Sequence, residues 1–515
     1  MNAPGSQMLL PDGLSASGAA DALAGEIAIV TARAHTIERT FWDTFDGRLH
    51  EAGLALIETR GRFALANATT YAEEVSDALA RGAERLFAQD VRPGPLRERL
   101  SSLLEMRAVM PVARVKSRLL PVNVLDEEGK TVVRLRVEES TAADAGNGAT
   151  PLPPRLHVIG VRGYDGELAE LRTLLTTRLG LVDAQRPVQD DAVAAAGGTP
   201  GGTSSKLRVK LRPEQRADAA VVIVLTHLLG TIEANLPGTV ADVDTEFLHD
   251  LRVAVRRSRA LQRELAGVFS PEPLHRFRTG FKELQLITGP TRDLDVQLLE
   301  FDELTRDLPP AIAPDVAPLL ALLQRRRQEA RARMAAELSG AATTALLEDW
   351  ADYLDGLTTA KEGKRPDAAR PIGEVAGARI AKVYKKMVRQ GEAIDDASPH
   401  EALHDLRKQG KELRYLLEFF ASLYSPAVIK PMVSTLKALQ DSLGRFQDRE
   451  VQAAQLRSVG DEVVALEGGA AALMAMGVLV QRLDDEQRGA RAEFAERFAA
   501  FASREQRQLV RQTFR

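Results

Sequence analysis

Residues 248–269, LHDLRVAVRRSRALQRELAGVF, return 155 positions later as residues 403–424, LHDLRKQGKELRYLLEFFASLY. The same offset, without a gap, sets FKELQLITGPTRDLDVQ (281–297) against LKALQDSLGRFQDREVQ (436–452). Two separated segments in one register, with Leu-His-Asp-Leu-Arg identical, mark an internal duplication and not a recurrence of helix composition. Apolar residues recur at a helical period throughout, and Gly or Pro falls mainly at segment ends, as in antiparallel helices with short connections. The expected fold of residues 206–515 is therefore all-α: two tandem pseudo-repeats, about 213–340 and 370–515, each a bundle of about four helices. A Gly-containing turn at Gly289 or Gly444 is expected to end the third helix of each.

Working outward from the repeat, the basic residues of its second helix share one face. With His249 at zero on a helical wheel, Arg252, Arg256, Arg259 and Arg263 fall within an arc of about 60° that borders the apolar face. His404, Arg407, Lys411 and Arg414 reproduce that wheel in the second copy. The third helices add His275 and Lys282 in the first copy and Lys430 and Lys437 in the second. Arg379, Lys382, Lys386 and Arg389 form a further row on the leading helix of the second copy, without a counterpart in the first. An ordinary solvated face mixes signs at i,i+4, whereas the arc of Arg252, Arg256, Arg259 and Arg263 interleaves no Asp or Glu. The histidines are read either as members of the row, donating hydrogen bonds to an anion, or as structural groups at a helix start. Two histidines 155 residues apart do not make a metal site by spacing, and no cofactor is expected.

Charge composition says how such a site is made. The chain's formal net charge is −4, and residues 201–515 hold 46 Lys/Arg against 45 Asp/Glu. Bulk attraction is excluded, so an anion site must come from segregation of charge. Many point charges along a groove suit a long uniform phosphate chain, inorganic polyphosphate, with binding that weakens as salt rises. Single-stranded nucleic acid calls for aromatic stacking platforms, and aromatics are 5% of the chain. On the wheel Tyr415 and Phe419 point away from the stripe, so nucleic acid is not the expected partner. Cysteine is absent, which excludes disulfides, thiolate metal sites and cysteine nucleophiles. No basic-then-apolar leader and no run of about 20 apolar residues is evident, so the expectation is a cytoplasmic protein without a membrane partner.

The stretch LHDLRVAVRRSRALQREL with LQLITGPTRDLDV, and its second copy LHDLRKQGKELRYLLEFF with LQDSLGRFQD, resemble the CHAD family of histidine-bearing α-helical domains, over about residues 213–515. The resemblance implies two four-helix bundles around a basic surface that binds polyphosphate without enzymatic activity, at polyphosphate granules. The second copy departs from the first at Gln447 and Glu450, against Arg292 and Asp295, which sets Arg292 apart from the anion site.

Upstream the texture changes. Residues 183–205, running into an Ala/Gly/Thr/Ser stretch, read as a flexible linker behind a domain of residues 1–182. Strand-like alternations at Arg114–Val124, Thr131–Val137 and Leu156–Val161, a helix expected over Tyr71–Phe87 and a mobile loop at Thr141–Pro154 make that domain α+β. TFWDTFDGRLHEAGLALIE (40–58) and LHVIGVRGYDGELAEL (156–171) are similar to the CYTH, or triphosphate-tunnel, fold. That family carries Glu-x-Glu-x-Lys on an early strand; the candidate here, EIAIV (26–30), keeps one acid and lacks the lysine, so a degenerate domain is expected. Arg114, Lys116, Arg118, Arg134 and Arg136 alternate on strand-like segments as candidates for a residual basic interior. Phe41, Trp42, Asp43 and Thr44 read as core aromatics beside a turn. A triphosphate or polyphosphate hydrolase acting through this domain, and a helical scaffold for nucleic acid or an acidic protein, stand as the alternative functions.

Overall fold

The computed structural model describes residues 6–78, 83–143, 148–360, 364–395 and 397–514. The chain separates into two compact units, Met1–Ser204 and Ser205–Arg515.

The first unit runs through β1 (Ser6–Leu9), α1 (Ala16–Glu26), β2 (Ile29–Thr31), β3 (His35–Thr44), α2 (Arg48–Glu51), β4 (Leu54–Thr59), β5 (Arg62–Asn67) and β6 (Glu73–Ala78). It continues with α3 (Pro95–Leu104), β7 (Val109–Leu125), β8 (Thr131–Ala143), β9 (Ala149–Pro151), β10 (Arg155–Gly160), α4 (Asp165–Thr177), β11 (Val182–Asp183) and α5 (Val188–Ala195). The strands make one curled antiparallel sheet in the order β11, β1, β10, β8, β7, β3, β4, β5, β6, with β2 added to β7 and β9 to β8. Period-two alternation on the long strands gives the sheet two buried faces. Val122, Val124, Leu135, Val137 and Leu156 pack on one face with residues of α1 and α4, while Phe41, Val115 and Ala142 on the other pack against α5.

Three local expectations are corrected. Residues 73–78 of the expected helix form β6, because pairing with β5 (Arg62 opposite Ala78, Leu65 opposite Val75) outweighs local propensity; residues 79–82 lie outside the described residues. The expected loop after Thr141 is partly strand, since β8 continues to Ala143 and β9 returns upon it with Thr141 opposite Pro151; residues 144–147 lie outside the described residues. Residues 183–205 hold α5, whose Val188, Ala192 and Val193 are buried in the sheet's core. Small side chains that read as a linker are what lets this helix lie close on the sheet.

The second unit is helical: α6 (Ala217–Ala241), α7 (Thr245–Glu264), α8 (Pro271–Thr305), α9 (Ala317–Leu338), α10 (Ala341–Leu357), α11 (Ile372–Glu392), α12 (His400–Phe419), α13 (Pro426–Ser458), α14 (Gly460–Val464), α15 (Gly469–Ala492), α16 (Phe494–Phe501) and α17 (Arg504–Thr513). The sequence offset reappears as geometry. α7 and α12 begin and end 155 residues apart, as do the first residues of α6 and α11 and of α8 and α13. Where the copies meet, Arg216 forms an antiparallel bridge with Pro371, its own counterpart. Ala217 N donates to Arg370 O at 2.9 Å and Ile372 N to Gln215 O at 2.9 Å, each bond the image of the other. That reciprocity is what a two-fold relation between the copies requires.

The third helices do not end at glycine. α8 and α13 run through Gly289 and Gly444, and the guanidinium groups of Arg252 and Arg407 lie over these glycines. The glycines make room for the arginines and do not form turns. α6 is long and apolar enough to cross a membrane by length and composition, with half of its most apolar window buried. Here Val221, Val224, Leu225 and Leu228 are core residues of the bundle.

Candidate functional site

α7, α12 and α13 enclose a groove of about 660 Å³. Its cations are Lys206, Arg256, Arg257, Arg407, Lys411, Arg414 and Arg445, and its acids Asp250, Asp441 and Asp448. Seven cations against three acids, in a unit of near-equal totals, is the segregation the composition demanded. Arg256 and Lys411, which are 155 residues apart, both line it. Neither has an acid within salt-bridge distance among the described residues. Burial, then the charges of Arg407 and Arg256, push the Lys411 ammonium down to about 8. An incoming anion would stabilise this ammonium, because burial strips the solvation from its charged form and the charge of Asp448 offsets only part of the loss.

The structure gathers only some of the expected residues here. His249, Arg256, Arg407, Lys411 and Arg414 line the groove. Arg252 turns inward, donating to Gln285 O at 2.9 Å and Thr288 Oγ1 at 2.8 Å, and burial pushes it down to about 10. Arg259 donates to the Gln285 side chain. Arg263 is held by Glu264 and by Glu412 of α12, both at 2.9 Å, and Arg379 by Glu264 at 2.6 Å. Arg407 and Arg414 reach the groove while bonded to Asp448 at 2.8 Å and Glu418 at 2.7 Å. The acid-free arc therefore does not leave the cations unpaired: Glu264 and Glu418 bind Arg263 and Arg414 from the same helix, and Glu412 and Asp448 bind Arg263 and Arg407 from neighbouring ones. His275, Lys282, Lys430 and Lys437 are exposed on α8 and α13 and do not line the groove. Lys382 and Lys386 line a different groove.

The two histidines are held differently. Arg292 Nη2 lies 2.8 Å from His249 Nδ1, and since a guanidinium only donates, Nδ1 accepts and the neutral ring carries its proton on Nε2. His404 Nδ1 lies 2.5 Å from Gln447 Oε1, whose amide nitrogen donates to Glu450 at 3.2 Å. Here Nδ1 donates. His404 does not line the groove, and Arg292 acts on the site through His249.

Residues outside the expected stripe also contribute. Arg257 lies outside the stripe's arc on the wheel, yet it reaches the groove and pairs with Glu418 at 2.6 Å. Tyr415 lines the groove with the Arg257 guanidinium 6.0 Å above its ring, so the expectation that no aromatic faces the site is corrected; Phe419 is buried. Arg445, Asp441 and Asp448 come from α13. Their spacing, with Arg445 next to Gly444 and Asp441 and Asp448 about one turn to either side of it, was the available signal.

In the first unit, Glu26 ends α1, and Ile29–Thr31 is a short strand. The first long strand is β3, where Thr36, Glu38 and Thr40 share a face and Glu38 is the acid. They stand opposite Arg118, Lys116 and Arg114 of β7. Arg134 and Arg136 pair with Asn123 and Pro121, on the other face. The five basic residues therefore do not form one interior. Arg136 instead shares a face with Arg39, Ser117, Glu138, Ser140 and His157, a polar set facing the α5 side. Glu138 accepts from Arg39, Ser117 and Ser140 and lies 2.5 Å from His157 Nε2; these bonds hold its carboxyl far below the usual range against burial. Asp43, near the end of β3, caps the following helical turn by accepting from the N–H groups of Leu49 and His50 at 3.0 Å, with burial raising its carboxyl to about 6. The curled sheet fits a CYTH-like tunnel fold.

Residues 223–457, which contain both copies of the motif, match the family model of the CHAD domain. The chain is similar to several solved structures. The crystal structure of the CHAD domain from the plant Ricinus communis is 23% identical with a TM-score of 0.46, over 56% of this chain and 96% of that one. PptA from Streptomyces chartreusis is 17% identical with a TM-score of 0.41, over 55% and 99%. No curated protein matches the chain.

Proposed function

We propose that the CHAD domain carried by residues 223–457 binds inorganic polyphosphate in the groove of α7, α12 and α13, as a binding module with no chemistry of its own. The observation that carries this reading is the pair Arg256 and Lys411: repeat-equivalent cations, with no acid in salt-bridge distance among the described residues, in a groove of seven cations and three acids. An anion chain replaces the missing solvation of both and releases counterions as it binds. The resemblance of the repeated motif to a polyphosphate-binding family points the same way.

The test is titration of the full chain with long-chain polyphosphate across a salt series. Changing Arg256 and Lys411 together to Ala is expected to weaken binding at least about tenfold and to lower the log–log salt slope by about one to two. Unchanged affinity would remove the groove as the site. Tyr415 keeps single-stranded nucleic acid in play as a second ligand, since its ring offers a face for one base. Single-stranded DNA of equal charge is expected to bind more weakly, and equal affinity would overturn the preference.

For the first unit the proposal is a CYTH-like fold without phosphoryl-transfer activity, in a cytoplasmic protein recruited to polyphosphate granules. Its support is that α5 packs on the sheet face bearing Arg39, Glu138 and His157, where a substrate would have to lie. Phosphate release from triphosphate with magnesium decides against it; no turnover is expected.

A further inference from the structure

The first repeat serves as an internal control for the charges of the second. α6 contains no Lys or Arg, whereas α11, its counterpart, carries Arg379, Lys382, Lys385, Lys386 and Arg389. α10, which packs on α6 and α8, has no Lys or Arg but has Glu348, Asp349, Asp352 and Asp355. At the corresponding place against α11 and α13 stand α16, with Arg497, and α17, with Arg504, Arg507 and Arg511. The fold is built in one copy with no cations on α6 and α10 and in the other with nine on α11, α16 and α17. Packing therefore does not explain them.

They converge. α11 and α17 wall a groove of about 860 Å³ bordered by Lys382, Lys385, Lys386, Arg389, Arg507 and Arg511, with Glu392 as its acid. Only Arg507 has an acid within salt-bridge distance, Glu392 at 2.6 Å; among the described residues the other five have none that close, and Glu412 acts on Lys386 from farther off. Glu392 is half exposed, so an incoming oxyanion can take its place on the guanidinium. The walls are fixed. Val510 and Phe514 are buried, Phe514 packs edge-on against Tyr424 with ring centres 4.8 Å apart, Tyr384 Oη donates to Phe501 O at 3.1 Å, and Arg507 Nε donates to Ala502 O at 2.7 Å. Along α11, Lys382 to Arg389 spans about 10 Å of helix axis, which presents a row of point charges to a linear anion.

We propose that α11 and α17 form a second, separate binding groove for a phosphate-rich chain, so that one long polyphosphate engages the protein at two places. The ligand class rests on the polyphosphate reading above; the existence of the groove does not. The aromatic rings beside it, Tyr384 and Phe514, are buried, so it offers no stacking platform, and its rim recognises phosphate oxygens and not bases. Two linked contacts raise avidity only for chains long enough to reach both.

Full-length protein is titrated with short-chain and long-chain polyphosphate as wild type, as Lys386→Ala/Arg389→Ala/Arg511→Ala, and as Arg256→Ala/Lys411→Ala. All are surface or groove changes, and circular dichroism checks the fold. The triple variant is expected to lose one of two short-chain equivalents and about tenfold in long-chain affinity, with a lower salt slope. In wild type, amide exchange in α17 is expected to slow when polyphosphate is added, also in the Arg256/Lys411 variant. A triple variant with wild-type stoichiometry and affinity, or α17 exchange indifferent to polyphosphate, overturns the second groove and leaves the first standing. Loss of all binding in the Arg256/Lys411 variant has the same meaning. Loss confined to the triple variant overturns the first groove instead. Polyglutamate of equal charge competing as well as polyphosphate overturns the phosphate assignment.

Discussion

Arg257 of α7 holds Glu418 of α12 at 2.6 Å, and the bond has an image: Arg263 of α7 holds Glu412 of α12 at 2.9 Å. Arg257 is the counterpart of Glu412 and Arg263 that of Glu418, each 155 residues apart. A two-fold contact is reciprocal by construction, and here the copies have diverged so that one contributes both cations and the other both acids. The same acids restrain cations near the groove, since Glu418 also binds Arg414 at 2.7 Å. Changing Glu412 and Glu418 together to Gln is expected to cost about 1 kcal/mol of stability per pair, as for partly exposed ion pairs. It is also expected to tighten polyphosphate binding several-fold by releasing Arg257, Arg263 and Arg414. Denaturant unfolding beside a binding titration checks both signs; weaker binding would mean that the pairs shape the groove and do not compete with it.

Lys411 makes binding depend on pH. Its ordinary value is 10.5, and burial beside Arg407 and Arg256 pushes it down to about 8. Between pH 8 and 10.5 the unfolded chain binds the proton and the folded chain does not, so without ligand this group makes stability rise with pH across that window. A bound polyanion favours the ammonium and reverses the preference. Affinity is expected to fall as pH rises from 7 to 9.5, and binding at pH 8.5 to take up part of a proton. Calorimetry in two buffers of different ionisation enthalpy measures the uptake, and Lys411→Arg should abolish most of it.

Much of this was legible beforehand because duplication is a pattern in the chain itself. The offset set α7 against α12 residue for residue and identified Arg256 with Lys411. A wheel drawn on one helix could not show that Glu412 and Asp448, from other helices, bind Arg263 and Arg407, nor that Arg252 turns inward over Gly289; Glu418, one turn past Arg414 on α12, was within its reach. α5 was missed for the opposite reason. Its Ala-rich sequence has linker composition, and only the apolar sheet face beneath Val188, Ala192 and Val193 makes it a helix. Gly289 and Gly444 were misread because a glycine that ends a helix and one that admits a neighbour's guanidinium look alike in sequence.

The histidines are expected to show opposite ring tautomers when neutral. His249 Nδ1 accepts from Arg292, which places its proton on Nε2, and His404 donates from Nδ1 to Gln447. Long-range proton–nitrogen correlation on histidine-labelled protein at pH 8 distinguishes the two patterns. Arg292→Gln should turn the first site into a copy of the second and move the His249 proton to Nδ1, with long-chain affinity changing less than about threefold, because the arginine touches the histidine and does not line the groove. A His249 already protonated on Nδ1 would overturn the assignment.

The polar face under α5 sets the stability of the first unit. Arg155 is buried, bonded to Gln7 Oε1 at 2.8 Å, to Arg186 O at 2.6 Å and to Asp191 on α5. Removing Asp191 leaves a guanidinium buried at 1% exposure without its counter-ion, which costs about 3 kcal/mol or more. Asp191→Ala is therefore expected to destabilise this unit strongly, and adding Arg155→Met to recover much of the loss, since an apolar replacement needs no partner. The chain has two tryptophans, Trp42 in the first unit and Trp350 in the second, both buried. In a Trp350→Phe background the fluorescence of Trp42 reports the first unit alone. Urea unfolding followed by that signal should shift to lower denaturant for Asp191→Ala and return toward the parent for the double change. An unshifted midpoint would mean that α5 rests on its apolar contacts with Phe41, Val115 and Ala142, and that the Arg155 pair contributes nothing measurable.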